Sequence, residues 1–206
     1  MNHHIPVPAV LSTGAALPPT VRSNDDPIFD WLRQHNPDGS ALFNGLKDRR
    51  VLMAPQTVED LLTASCQQAL ERARLHVNEV DLLIGSASVS SWVAPNGLAR
   101  VHRQLGLGAH ARVLALNSDY TPFLDGLKLA QDLVRCGSAR HVLVACGNNW
   151  TQHVDYHEPV ALAAGDGAGA ALVGPTRSHH DWRLVDWANL TDTQWYGAFR
   201  MAPRPT

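Results

Sequence analysis

Apolar residues in this chain fall into short unbroken runs, and between those runs they recur at helical spacing. Pro8–Ser12 starts a first strand that enters a Gly-Pro loop over Thr13–Pro19. VDLLIGSAS, Val80–Ser88, is continuously apolar and ends in small residues, as expected of a strand buried on both faces. Val113–Asn117 reads as a third buried strand, His141–Cys146 as a fourth and Ala170–Val173 as a fifth, with a further strand at Leu184–Ala188. The intervening segments carry helices. The polar stretch Ser23–Asn44 holds a short one over Ile28–Gln34, and Thr57 caps the next, with Asp60 three residues on and Val58, Leu61, Leu62, Ala69 and Ala73 on one face. Asn96 and Gly97 open a third helix that runs to Leu105 and stops at Gly106–Gly108. A fourth spans Pro122–Cys136, with proline in its first turn, Phe123, Leu127, Ala130 and Val134 on one face, and Gly137 past its end. Strands alternating with helices call for an α/β domain over residues 1–206, built on a mostly parallel five-stranded sheet with helices on both faces.

Composition narrows the function classes. With 45% hydrophobic and 17% charged residues and a net charge of −2, the chain has no electrostatic reason to bind nucleic acid or an anionic membrane. Cys66, Cys136 and Cys146 are widely spaced, odd in number and free of any CxxC pairing. A disulfide framework or zinc site is therefore not expected, and a reducing compartment, the cytoplasm, is. The opening MNHHIPVPAV has neither a basic n-region nor a long apolar h-region, so neither secretion nor membrane insertion is expected.

The chemistry-bearing segment is VLALNSDYTPFLDGL, residues 113–127, a strand running through a sharp turn into a helix. Several acyl-transfer folds mount a catalytic cysteine or serine at such a turn, and here Tyr120 holds the attack position. A tyrosine phenol titrates near pH 10 and is a poor acyl carrier, so Tyr120 reads as a buried or interfacial ring filling that space. Cys136 and Cys146 read as structural thiols. His153, Asp155 and His157 offer two imidazoles and a carboxylate, but on a loop without further ligands, so no metal site is expected. The pairs His3–His4 and His179–His180 read as incidental. Gly165, Gly167 and Gly169 superficially match a dinucleotide loop, yet they precede a strand instead of joining a strand to a helix. GxSxG, HExxH and P-loop patterns do not occur.

Five blocks resemble, in order and spacing, the first half of ketoacyl synthase III enzymes of the thiolase superfamily. They are STGAALPPTVRSND, GLKDRRVLMAPQTV (Gly45–Val58), LIGSASVSSWVAPN, RCGSARHVLVACG and GDGAGAALV (Gly165–Val173). The resemblance implies the N-terminal half of a thiolase-like fold, normally one of two similar halves that pack together and then dimerise. In that family the cysteine lies three residues before a phenylalanine. Aligning that phenylalanine with Phe123 puts Tyr120 at the cysteine position.

Other positions depart as well. The family's arginine that holds the adenine end of coenzyme A falls on Glu158, and its tryptophan and arginine before the Gly45 block fall on Gly39 and Phe43. Coenzyme A is therefore not expected as a ligand, and no cofactor is. The bulky residues lining the acyl tunnel become Ala94 and Ala164, so the substrate pocket expected here, with Ala94, Ser118, Phe123 and Ala164 in its walls, is wide. The family's second half, which supplies a histidine and an asparagine, is not expected in this chain.

Three roles fit these readings. One is a non-catalytic or partner-dependent ketosynthase-like subunit, a homodimer or a heterodimer with a ketosynthase-type protein through the strand Val113–Asn117, with acyl carrier protein as a further candidate partner. The second is a condensing enzyme completed by a separate C-terminal half or using an unexpected group near Ser118–Tyr120. The third is a truncated relative without independent function.

Overall fold

The computed structural model describes residues 6–118, 120–194 and 197. The pair His3–His4 therefore lies outside the described residues. A five-stranded sheet forms the centre, in the order β1 (Pro8–Ala16), β7 (Gly167–Pro175), β6 (Val142–Asn148), β4 (Leu82–Ser88) and β5 (Arg112–Ala115). Two short strands, β2 (Val21–Ser23) and β3 (Asp48–Arg50), pair antiparallel beside it.

The sheet is mixed, where the strand–helix alternation predicts mostly parallel pairing. β4 runs parallel to both β5 and β6, whereas β7 is antiparallel to β6 and to β1. The connections explain this. Parallel neighbours need a crossover, supplied here by α3 (Gly97–Leu105) after β4 and by α4 (Pro122–Arg135) after β5. Between β6 and β7 the chain makes only short 3-10 turns, so it reverses direction and β7 returns alongside β6.

Side-chain alternation splits the core between the two faces. Leu83, Leu143, Ala145, Ala170 and Leu172 point to α2 (Val58–Ala73) and α3, packing against Leu61, Leu62, Cys66, Leu98 and Val101. Leu82, Ile84, Val142, Val144 and Val173 point to α4, against Leu127, Ala130 and Val134. Helices thus cover both faces, as expected. Backbones approach closely at two glycines. A Cβ on Gly14 would lie 2.0 Å from the Ser65 carbonyl of α2, and one on Gly85, whose φ is +146°, would lie 1.8 Å from the Ala145 carbonyl.

Element ends follow the local chemistry. The Thr57 N–H donates to Asp60 Oδ2 at 2.9 Å, closing the capping box of α2. Asn96 Oδ1 accepts from the Leu98 N–H at 2.9 Å at the head of α3, and Gly106 ends that helix at φ +68°. Helix α1 covers Asp30–His35 after a 3-10 turn at Pro27–Phe29, close to the span predicted from sequence.

Three readings need correction. β5 is not buried: it is a four-residue edge strand with β4 as its partner, and Val113 and Leu114 are 38% and 40% exposed. The start of the Gly-Pro loop, Thr13–Ala16, belongs to β1 and pairs with β7. Leu184–Ala188 forms no strand. Just ahead of it an isolated bridge has the Val10 N–H donating to the Trp182 carbonyl at 2.7 Å, and the segment itself is held where Gln131 Nε2 donates to the Leu184 carbonyl at 2.7 Å and Leu184 packs against the α4 side of the core. The bridge falls at Val10, beside the register shift between Val10 and Ser12 in the pairing of β1 with β7.

Candidate functional site

The C-terminal ends of parallel β4 and β6 meet the start of β7 and the N-terminus of α4, and between them lies a cavity of about 350 Å³. Ligand sites in open α/β sheets favour this location, because strand ends and helix N-termini leave backbone groups and loops free to diverge. Ser86 and Ser88 come from β4, Cys146 and Asn148 from β6, and Tyr120, Phe123 and Trp150 provide the aromatic walls.

The turn that delivers Tyr120 is closed locally. The Thr121 N–H donates to the Ser118 carbonyl at 3.1 Å, Thr121 Oγ1 donates to Asp125 Oδ2 at 2.7 Å, and Pro122 starts α4 with no N–H to satisfy. The Ser118 and Thr121 hydroxyls hold the Asp125 carboxyl below its ordinary range. Tyr120 itself is 63% exposed, so in the isolated chain it does not fill the cavity as a buried ring. It stands edge-on to Trp150, with centroids 5.5 Å apart and planes at 87°.

Trp150 is fixed from behind. Its Nε1–H donates to Ser88 Oγ at 3.0 Å, tying the indole to the end of β4. The next residue is held by Asp166, a buried carboxylate of the GDGAG motif, which accepts from the Thr151 N–H at 3.0 Å, from the Thr151 hydroxyl, and from the Leu52 N–H at 2.7 Å. One carboxylate therefore joins the loop after β3, the loop after β6 and the start of β7.

Cys146 is the thiol in this cavity, half-buried on β6, and burial pushes its pKa up to about 11. At neutral pH roughly one molecule in 10⁴ carries the thiolate, the form that attacks acyl groups. Cys66 is fully buried and pushed up to about 12. Cys136 is exposed at the end of α4, and the neighbouring Ser138 pulls it down.

Of the residues expected to form the pocket, Tyr120 and Phe123 come together in its wall. Ser118 sits in the turn just before, Ala94 is exposed on the loop ahead of α3, and Ala164 is buried against Val154 and Ala161; these three do not line the cavity. Phe43 is a core residue packed with Phe29, Leu32 and Leu162, and Glu158 is exposed. Around the histidine loop, His157 Nδ1 lies 2.8 Å from Asp155 Oδ1 and the His157 ring meets Trp31 edge-on at 4.7 Å. Among the described residues no group of three or more histidine, cysteine or acidic residues could hold a metal. The His179 and His180 rings lie 3.9 Å apart. Sequence reasoning missed Trp150, Asn148 and the two serines; the serines and Asn148 were signalled by a small or polar residue at the carboxyl end of a buried strand, and Trp150, in the turn after β6, by no local pattern.

A family profile described as 3-oxoacyl-[acyl-carrier-protein (ACP)] synthase III matches residues 116–192, which include the Tyr120 turn and the Asp166 motif. The β-ketoacyl-[acyl-carrier-protein] synthase III of Thiobacillus denitrificans is 28% identical over 166 residues, covering 80% of this chain and 51% of the relative. A Vibrio vulnificus synthase III is 30% identical over 170 residues, covering 79% of this chain and 44% of the relative. The crystal structure of a priming β-ketosynthase from a polyketide biosynthetic pathway superposes with a TM-score of 0.75 at 26% identity, over 86% of this chain and 54% of the other. The chain spans about half the length of the curated relatives it matches.

The fold is thus thiolase-like, with the cavity at the strand ends where α4 begins. Over the residues it shares with them the chain is similar to ketoacyl synthase III proteins, and the similarity takes in about half of each.

Proposed function

We propose that this chain serves acyl condensation as a non-catalytic or partner-dependent ketosynthase III-type subunit. The observation that carries the reading is the pair of groups in the cavity. A phenol, Tyr120, stands at the mouth where the resemblance places the family's cysteine, and the one thiol among the lining residues, Cys146, is held almost wholly protonated. Neither group can accept an acyl chain from a thioester at an ordinary rate.

A partner is expected on the side of β5. Its outer edge lacks a neighbouring strand among the described residues and carries the half-exposed Val113 and Leu114. An open edge with apolar side chains favours pairing with another chain, here a second copy or a ketosynthase-type partner. Acyl carrier protein belongs to the reading as a further partner. Among the described residues no helix is long and apolar enough to cross a membrane.

The reading is tested by incubating the chain with acetyl-CoA and longer acyl-CoA thioesters and weighing the intact protein. No acyl adduct is expected. An adduct mapped to Cys146 or Tyr120 refutes the proposal in favour of an enzyme completed by a separate C-terminal half.

A further inference from the structure

The floor of the Tyr120 cavity is two cross-strand rows on the α4 face of the sheet. Ser86 of β4 stands opposite Cys146 of β6, which stands opposite Gly169 of β7; one step nearer the strand ends, Ser88, Asn148 and Gly167 form the second row. Side chains two apart on a strand share a face, so these rows continue the one that carries Ile84 and Val144. Packing does not require the glycine at 169. A Cβ built there meets nothing nearer than the Gly14 carbonyl at 4.0 Å, so the absent side chain leaves open space in the cavity.

The polar groups around this space are donors without charge. No charged side chain lines the cavity. The N-terminus of α4 would by itself favour an anion, but the Asp125 carboxylate in the first turn, which accepts from the Thr121 hydroxyl at 2.7 Å, offsets that end of the dipole. Asn148 Oδ1 lies 3.5 Å from the Trp150 N–H, whereas Asn148 Nδ2 makes no hydrogen bond among the described residues. Unlike Arg49 Nη2 and Ser118 Oγ, which are unpartnered and sealed, it is open to the cavity. Ser88 Oγ accepts from the Trp150 Nε1–H at 3.0 Å, which leaves its own hydrogen to donate. Ser88 and Asn148 are register partners, and paired strands lie about 4.8 Å apart, so both donors reach a single acceptor set between them. Burying a charge in such a site is costly, whereas a neutral carbonyl oxygen satisfies both donors. Phe123, Tyr120 and Trp150 in the walls add edge-to-face contacts that a flat ring makes and a saturated one does not.

We propose that the cavity reversibly binds an uncharged aryl carbonyl compound, with the carbonyl oxygen at Asn148 and Ser88 and the ring over Cys146 and Gly169 against Phe123. This deepens the non-catalytic reading above and rests on it, since a cavity that forms no acyl bond acts through reversible binding.

Fluorine NMR titration of the whole chain with 4-fluorobenzamide tests it, with 4-fluorobenzoate as the charged counterpart and cyclohexanecarboxamide, added as a competitor, as the saturated one. The amide is expected to bind, the benzoate about ten-fold more weakly or worse, and the saturated amide about three-fold more weakly. Gly169→Val is expected to abolish binding by filling the floor, and Asn148→Ala to weaken it about five-fold. Should Gly169→Val fail to fold, Asn148→Ala and the two comparison ligands decide alone. Equal or tighter binding of the benzoate would show that the helix end governs the cavity, and equal binding of the saturated amide that its rings do not read the ligand; either result overturns the proposal. So does binding that survives both substitutions, or its absence at about 20 mM ligand in a chain whose circular dichroism is native. The two readings fail separately. An acyl adduct by mass together with amide binding refutes only the non-catalytic role, and neither adduct nor amide binding refutes only the ligand.

Discussion

Replacing Tyr120 by cysteine would put a thiol in the turn ahead of α4, where it can be compared with the thiol already in the cavity. An ordinary cysteine titrates near pH 8.5, and a position at a helix N-terminus lowers this by roughly half a unit. At pH 7.5 about a quarter of the introduced thiol would be thiolate, against roughly one part in 3,000 for Cys146 with its pKa of about 11. A more basic thiolate is also the better nucleophile, with a Brønsted slope near 0.45, and three units of pKa return a factor of about 20 to Cys146. The net expectation is alkylation of the Tyr120→Cys thiol about 30-fold faster than Cys146, before the greater exposure of position 120 is counted. Iodoacetamide labelling followed by peptide mapping reads both rates in one sample, and the exposed Cys136 serves as an internal reference. The same variant should take up label from acyl-CoA slowly where the parent chain takes up none. If Cys146 reacts as fast as the introduced thiol, the account of the cavity as chemically silent fails.

Other outcomes follow from packing and hydrogen bonding. Asp166→Ala strands the Leu52 and Thr151 donors in a buried site, and a loss of about 3 kcal/mol or more is expected in urea unfolding, with the Trp150 emission altered even where the fold survives. Gly85→Ala drives a methyl into the Ala145 carbonyl at a φ that L residues avoid, and should cost at least about 3 kcal/mol or abolish soluble expression; a native melting curve would contradict the close approach. Burial pushes the Glu59 carboxyl up, but the Ser91 hydrogen bonds outweigh it and leave the group below its ordinary range. Its contribution is therefore complete above about pH 4.5 and disappears as pH falls through the lower folded value, so Glu59→Gln should flatten the acid limb of the stability curve. Leu114→Glu, on the open edge of β5, should shift sedimentation toward the monomer without lowering the unfolding free energy by more than about 1 kcal/mol, since the side chain is already half-exposed.

Much of the scaffold was readable before any coordinates. Unbroken apolar runs located β4 and β6, because a strand buried on both faces has no polar position to alternate with. The Thr57–Asp60 box, Asn96, Gly106, Pro122 and Gly137 marked helix ends, because capping and left-handed turns depend on residues a few positions apart. Tyr120 and Phe123 were likewise legible, since both stand in a strand–turn–helix signal that is local.

Strand direction, edge position and the walls of the cavity were not. Whether β7 returns antiparallel depends on the absence of a crossover helix in residues 149–166, a stretch whose aromatic and polar residues read simply as loop. Val113–Ala115 looks as apolar as the central strands, and only the order of the sheet leaves it at the rim. Trp150 faces Tyr120 across 30 positions of sequence because Asp166 and Ser88, from two other segments, hold it there. Local chemistry is written into neighbouring residues, so the sequence by itself determined most of the elements, their caps and a tyrosine at the turn into α4. Which elements become neighbours is set by burial and hydrogen bonding between distant segments, and so the tertiary structure alone decided the open edge and the protonated Cys146 beside the phenol.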